Sequence, residues 1–279
     1  MAVVVESVGV SPGSVTGNCV IVAPTGIAVG NLLIAAMVGS SASSPPTITI
    51  PTGFTLLDSV VESNNGCLSV FYKIADSGDV AASNFTFSVV GSNGEIGAML
   101  RISGNRSGAQ IISATGEFSS GSGSATITPT TVTPLSANGL LVLIGALANQ
   151  AGSFSGYTCV TSPPTFTENT DITSIAGNDQ AIAIATGLRA ETTATGSCTI
   201  TASSSAGSHL GMSFFVEDPD LLFSVSDSST VTDSISILRA LQFSINESLT
   251  LSDVISTIKK KLWSTIAKSI TSWTNQSKS

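Results

Sequence analysis

The sequence predicts an all-β protein. Its body is a β-sandwich or jelly roll built from two internally repeated halves, and a C-terminal extended stalk or arm with a short terminal helix follows. Three observations predict this. Four segments of the first hundred residues return in the same order, 108 to 114 residues later. Before residue 218, short β-branched runs alternate with Gly, Pro, Ser and Asn turns, and no stretch places apolar residues at helical spacing. After Asp218 the character of the chain changes, with a second, shorter repeat and then a basic helical stripe.

The long repeat is read directly. Gly30–Met37 (GNLLIAAM) returns as Asn138–Gly145 (NGLLVLIG), and Pro51–Thr55 (PTGFT) as Pro163–Thr167 (PPTFT). Phe85–Val89 returns as Cys198–Ala202, and Ile96–Ile102 as Leu210–Val216. The repeats run over about 19–104 and 124–217 inside a body of residues 1–218. Repetition at a fixed period is the strongest architectural signal a sequence offers. Halves of this length, poor in aromatics, have little to bury separately, so the expectation is one sandwich in which they share a core.

Along the chain, Val3–Val5 and Val20–Val22 are β-branched strands split by Ser, Gly and Pro. Leu32–Val38 is continuously apolar and strand-length, as expected of a strand buried on both faces. Thr47–Ile50 alternates, and Pro51-Thr52-Gly53 turns the chain into Phe54–Val60. Asn65-Gly66 is a hairpin signal, and Leu68, Val70 and Tyr72 share one side of the strand that follows it. Phe85–Val89 and Ile96–Ile102 complete the half. Ser119–Ser124 (SSGSGS) reads as a flexible link; it lacks the Lys-Ser/Thr and the helix that a phosphate-cradling loop needs. The second half repeats the pattern.

Beyond Asp218, residues 219–256 contain the run from Phe223 to Ser236 and its copy from Phe243 to Ser256. Two such units bury little alone, and stacked repeats gain stability from neighbours, so this segment is expected to be a stalk or arm completed by other subunits. From Leu251 to Trp273 apolar residues are spaced by three or four, one stripe of a helix, with Ser252 placed to cap it. Residues 257–279 form a basic docking segment. Trp263–Ser269 and Trp273–Ser279 are related at an offset of ten, which competes with the helix and suggests a docking peptide.

Charge and composition narrow the function. Charged residues are 10% of the chain and the net charge is −8. The body to Asp218 holds 4 basic and 13 acidic residues, net −9, whereas the remainder holds 6 basic and 5 acidic, net +1. A negative body disfavours nucleic acid. Lys259-Lys260-Lys261 could meet an acidic partner or a membrane surface, but a solvated helix face is the simpler reading. No apolar run is long enough to span a bilayer, and Met1–Glu6 lacks the basic start of a signal peptide. Cys19, Cys67, Cys159 and Cys198 show no CxxC spacing and read as small buried hydrophobes rather than a disulfide or metal site, as in a protein made in a reducing cytosol.

Catalytic constellations are sparse. His209 aligns with Glu95 of the first half at the start of a strand and is expected to be a surface residue. No Gly-x-Ser-x-Gly elbow accompanies it. Asp76–Asp79 (DSGD) and Asp218-Pro219-Asp220 could hold calcium but read more simply as turns. Glu168 and Asp171 are the candidate carboxylate pair for glycoside hydrolysis, in a polar region with no further mark. The sequence therefore assigns no catalytic, cofactor-binding or metal residues, no cofactor and no enzymatic activity.

Gly30–Ala35, Pro51–Leu57, Val70–Ala75, Phe85–Phe87 and Ala98–Gly104 together resemble a β-sandwich domain of tailed-phage virion proteins, of the tail-fibre and capsid-decoration type. The resemblance spans residues 20–217. The second half departs from it: Phe54 has its match in Phe166, but Tyr72-Lys73 becomes Thr186-Gly187. The terminal Trp273–Ser279 is similar to C-terminal peptides of unassigned role in viral and environmental sequences. What the resemblance implies is a non-enzymatic virion component, made in the host cytoplasm and located in the virion. It would form a homo-oligomer, a trimer by expectation, and dock on other virion proteins through its C-terminal segment, with a host surface glycan as a further partner and no membrane span. It carries over no functional residues. The alternative is a carbohydrate-binding module or adhesin that recognises a cell-surface glycan, and a β-sandwich hydrolase is the third reading.

Overall fold

The computed structural model describes residues 3–15, 17–62, 66–105, 111–113, 117–119 and 125–218. The chain divides into two compact units, Met1–Phe223 and Ser224–Ser279, and every described residue belongs to the first. The expected stalk repeat, terminal helix and basic segment lie outside the described residues, as does most of the Ser119–Ser124 link.

The first half contributes β1 (Val4–Val10), β2 (Asn18–Val22), β3 (Leu32–Ser40), β4 (Thr47–Ile48), β5 (Thr55–Val61), β6 (Gly66–Ile74), β7 (Asn84–Val90) and β8 (Gly94–Ser103). The second contributes β9 (Ile111–Ser113), β10 (Glu117–Ser119), β11 (Thr126–Ile127), β12 (Gly139–Ala148), β13 (Phe154–Cys159), β14 (Thr167–Ser174), β15 (Gln180–Arg189), β16 (Cys198–Ala202) and β17 (Ser208–Val216). Strands form at the predicted places. The strand expected over Thr47–Ile50 stops at Ile48, three residues before Pro51, consistent with the missing ladder donor of proline.

Each half is an antiparallel sandwich with the same strand order. The first has a large sheet β1-β8-β3-β6-β5 and a small sheet β2-β7-β4. The second has β10-β17-β12-β15-β14, with β9 also on β17, and β11-β16-β13. Because β9 and β10 both pair with β17, at Val216–Phe214 and Gly211–His209, together they stand where the single strand β1 stands in the first half. The order 1-8-3-6 opposite 2-7-4 is that of a jelly roll, with the fifth strand paired to the large sheet.

The shared sandwich expected from sequence is therefore two sandwiches joined by a third core. Inside the first, Cys19, Ile21, Leu33, Phe71, Phe87 and Met99 pack between the small and large sheets. Inside the second, Ile127, Leu141, Leu143, Cys198, Ile200 and Phe215 do the same. The largest core lies between the two large sheets and draws twelve buried residues from the first half and eleven from the second. It is built by strands apolar on both faces: in β3, Leu33, Ala35 and Met37 face their own small sheet while Leu32, Ile34, Ala36 and Val38 face the other half. Each Leu or Ile buried this way contributes roughly 1.5–3 kcal/mol, so the outer faces of the large sheets supply what a half this size lacks.

The large sheets lie strand over strand, β3 against β12, with β8 and β6 flanked by β15 and β17 in turn. The two halves are thus related by a pseudo-two-fold axis running along the strands. Even the approach to the central strands is kept: Gly30 before β3 has φ 91°, and its counterpart Asn138 before β12 has φ 64°. Asn tolerates this left-handed conformation better than most side chains.

At the end of the shared core where β3 and β12 finish, the halves interlock through polar groups. The Gln180 amide donates to Ser40 Oγ at 2.7 Å, Ser208 Oγ donates to Glu62 at 3.1 Å, and Asn178 N–H donates to the Asn93 carbonyl at 3.1 Å. Gly66 and Gly94 make room: a Cβ on Gly66 would lie 2.5 Å from the Ala148 methyl, and one on Gly94 would lie 1.9 Å from the Gln180 amide.

The cysteine expectation needs correcting. Cys159 and Cys198 are paired in a disulfide across β13 and β16, where they are direct register partners. Cys19 and Cys67 are buried free thiols. Burial pushes Cys19 up to about 12 and Cys67 up to about 11, far from the thiolate that reacts.

Candidate functional site

The opposite end of the shared core is open. A groove of about 430 Å³ lies there between the start of β1 and the pair β14–β15. Its lining is aliphatic at Val3, Val5, Leu140 and Leu188 and carries hydroxyls and an amide at Thr165, Thr167, Asn169 and Thr186. Among the described residues no charged side chain lines it. Thr186 Oγ1 donates to Asn169 Oδ1 at 2.8 Å, which fixes the amide and leaves its NH₂ group as the lining's nitrogen donor.

The repeat explains the groove. Thr186 pairs with Val142 and Thr167, as Tyr72 pairs with Ile34 and Thr55. Leu188 pairs with Leu140, as Ile74 pairs with Leu32. In the first half Tyr72 and Ile74 pack partly buried against the shared core. In the second a threonine replaces the tyrosine, and Gly187 replaces Lys73, with Pro164 so close that a Cβ there would lie 2.6 Å from its ring. The departure Tyr72-Lys73 to Thr186-Gly187 visible in the sequence is thus the point where the groove opens.

Glu168 and Asp171, the carboxylate pair singled out from sequence, are on β14 but on its other side from the groove residues. A bulge between Glu168 and Thr170 inserts Asn169, so Glu168 opposes Ala185 and Asp171 opposes Ala183. Those partners are two apart, and the two carboxylates share one face. Both are engaged with the protein: Tyr157 Oη donates to Glu168 at 2.8 Å, and Phe154 N–H donates to Asp171 at 2.8 Å. Burial raises the Asp171 carboxyl above its ordinary value, and the charge of Glu168 adds to this. Burial, then the hydrogen bond to Glu168, raises the Tyr157 phenol. Tyr157 leans on Phe166, ring centroids 6.5 Å apart. The first half has Leu56 and Ser59 at the register positions of these carboxylates.

His209 is not the surface residue expected. It is fully buried in β17, with Nε2 against the Ser204 carbonyl at 2.8 Å. Glu95, its counterpart, is equally buried and accepts from Gly17 N–H at 3.0 Å and from Ser92 Oγ at 2.5 Å. Both positions anchor loops beside a strand start, which explains why polar residues are buried there. Asp76 and Asp79 are joined by Lys73, whose Nζ lies 3.1 Å from Asp76 and 2.8 Å from Asp79. The ammonium occupies the place a calcium ion would take, and Gly78 N–H closes the turn on Asp76 at 2.7 Å. Asp218 is buried, and its neighbours Pro219 and Asp220 lie outside the described residues, as do Lys259–Lys261, Trp263 and Trp273.

Comparison of the chain with protein-family models, curated proteins and solved structures finds no match. Among the described residues no group of three or more His, Cys, Asp or Glu could hold a metal ion, and no helix is long and apolar enough to cross a membrane.

Arg189 escaped the sequence reading altogether. Among the described residues it is the largest fully buried side chain, at the end of β15. Its guanidinium donates to the carbonyls of Thr161 at 2.8 Å, Ser162 at 2.7 Å and Thr193 at 2.7 Å. It ties together the two loops that flank the disulfide. Its neighbours in sequence, Leu188 and Ala190, give no hint of burial.

Proposed function

We propose that this chain is a non-enzymatic structural component of a tailed-phage virion, of the capsid-decoration, fibre or tail-associated kind. It self-assembles as a trimer and docks through its C-terminal segment. The observation that supports this best is the body: two jelly rolls fused through a common apolar core, with loops held by buried polar anchors such as Arg189 and Glu95. Jelly rolls recur in viral capsid domains, and a body stabilised from within is suited to bearing load in a particle. The sequence adds a body of net −9 followed by a segment of net +1 with its own short repeat.

Oligomeric mass tests this, measured by light scattering for the full chain and for a truncation ending at Asp218. A trimeric or larger full chain with a monomeric truncation supports assembly through the C-terminal segment. Two monomers, with no co-sedimentation with phage particles, would remove the reading.

A further inference from the structure

We propose that the groove at the open end of the shared core is a binding site for a neutral saccharide. Its size falls in the range of small-molecule sites, and its lining mixes aliphatic and uncharged polar groups in a way that suits one ligand chemistry. A pyranose ring presents C–H groups on its faces and hydroxyls around its rim. Leu140 and Leu188 offer the aliphatic surface for the former; Thr165, Thr167, Asn169 and Thr186 offer donors and acceptors for the latter. A fatty chain would cover the Thr165 and Thr167 hydroxyls and the Asn169 NH₂ group without giving them partners. An anionic or cationic ligand would find no countercharge among the described residues of the lining.

The internal repeat strengthens the argument. The same scaffold position is occupied in the first half by Tyr72 and Ile74, which pack on the shared core. Position 186 could therefore hold a tyrosine within this fold, yet it holds a threonine that orients Asn169. The groove carries this role whether or not the protein assembles into a particle.

The test uses the full chain and a panel of uncharged sugars: glucose, galactose, mannose, rhamnose, N-acetylglucosamine and their disaccharides. Glucuronate and sialic acid serve as charged counterparts. Saturation-transfer NMR detects binding and titration gives Kd. At least one neutral sugar is expected to bind in the millimolar range or tighter. Thr186→Tyr, which restores the first-half residue, should weaken it at least about tenfold by filling the groove. Asn169→Leu, similar in volume, should do the same by removing the amide, with the thermal midpoint of each variant near that of the parent. Binding of no neutral sugar in the panel would overturn the proposal. So would unchanged affinity in folded Thr186→Tyr, a preference for the acidic sugars, or a groove that takes only an apolar probe such as bis-ANS.

Discussion

Arg189 shows how a single residue can hold a region that its neighbours in sequence do not announce. Its charge is buried, and among the described residues no carboxylate pairs with it; carbonyls from two loops surround it instead. Replacing Arg189 by Met would strand those carbonyls. The expected loss is about 2–4 kcal/mol, read as a lower urea midpoint at constant m-value. Asp171 works in the opposite sense. Its carboxyl is raised by burial, so its favourable contribution is complete below the ordinary value of 3.8 and is lost as pH rises through the raised value. Asp171→Asn keeps the acceptor for Phe154 N–H and should raise the thermal midpoint at pH 7 by about 2 °C, with little change at pH 3. At Asp76 the sign reverses. The hydrogen bond from Lys73 lowers its pKa below 3.8, so the contribution present above that pH is lost on acidification.

At the scale of elements, strands were legible and their partners were not. The alternation in β2, with Cys19 and Ile21 buried between exposed Val20 and Val22, was visible as a period of two. The unbroken apolar run of β3 correctly implied burial on both faces. The disulfide was invisible because Cys159 and Cys198 meet only once β13 and β16 pair, and nothing in a spacing of 39 residues sets that register. His209 misled for a related reason: a strand start is usually exposed, but β17 begins beneath a loop that covers it. Gly66, part of the hairpin signal in sequence, opens β6 and in the fold is also a socket for the other half, as is Gly94. Gly66→Ala and Gly94→Ala should each cost about 1–3 kcal/mol by overpacking. Adding Ala148→Gly to Gly66→Ala should recover most of the loss, because the two methyls compete for one space, and a double-mutant cycle measures that coupling.

For the molecule as a whole, the shared core decides how it folds. A chain ending at Gly104 would expose Leu32, Ile34, Ala36, Val38 and Leu100 as one face of β3 and β8. An apolar patch of that kind drives association, so the isolated first half is expected to aggregate, while residues 1–218 melt in a single calorimetric transition. Two separate transitions for the body would show that each sandwich is stable without the other.

Joining the two copies in one polypeptide has a further effect. A dimer of identical chains about a two-fold axis must repeat on one flank whatever it carries on the other. Here the flanks are free to differ, and they do: tyrosine fills the first at position 72, and threonine leaves the second open at position 186. Each molecule therefore has a front and a back. Any array built from it inherits that direction, with every groove turned the same way.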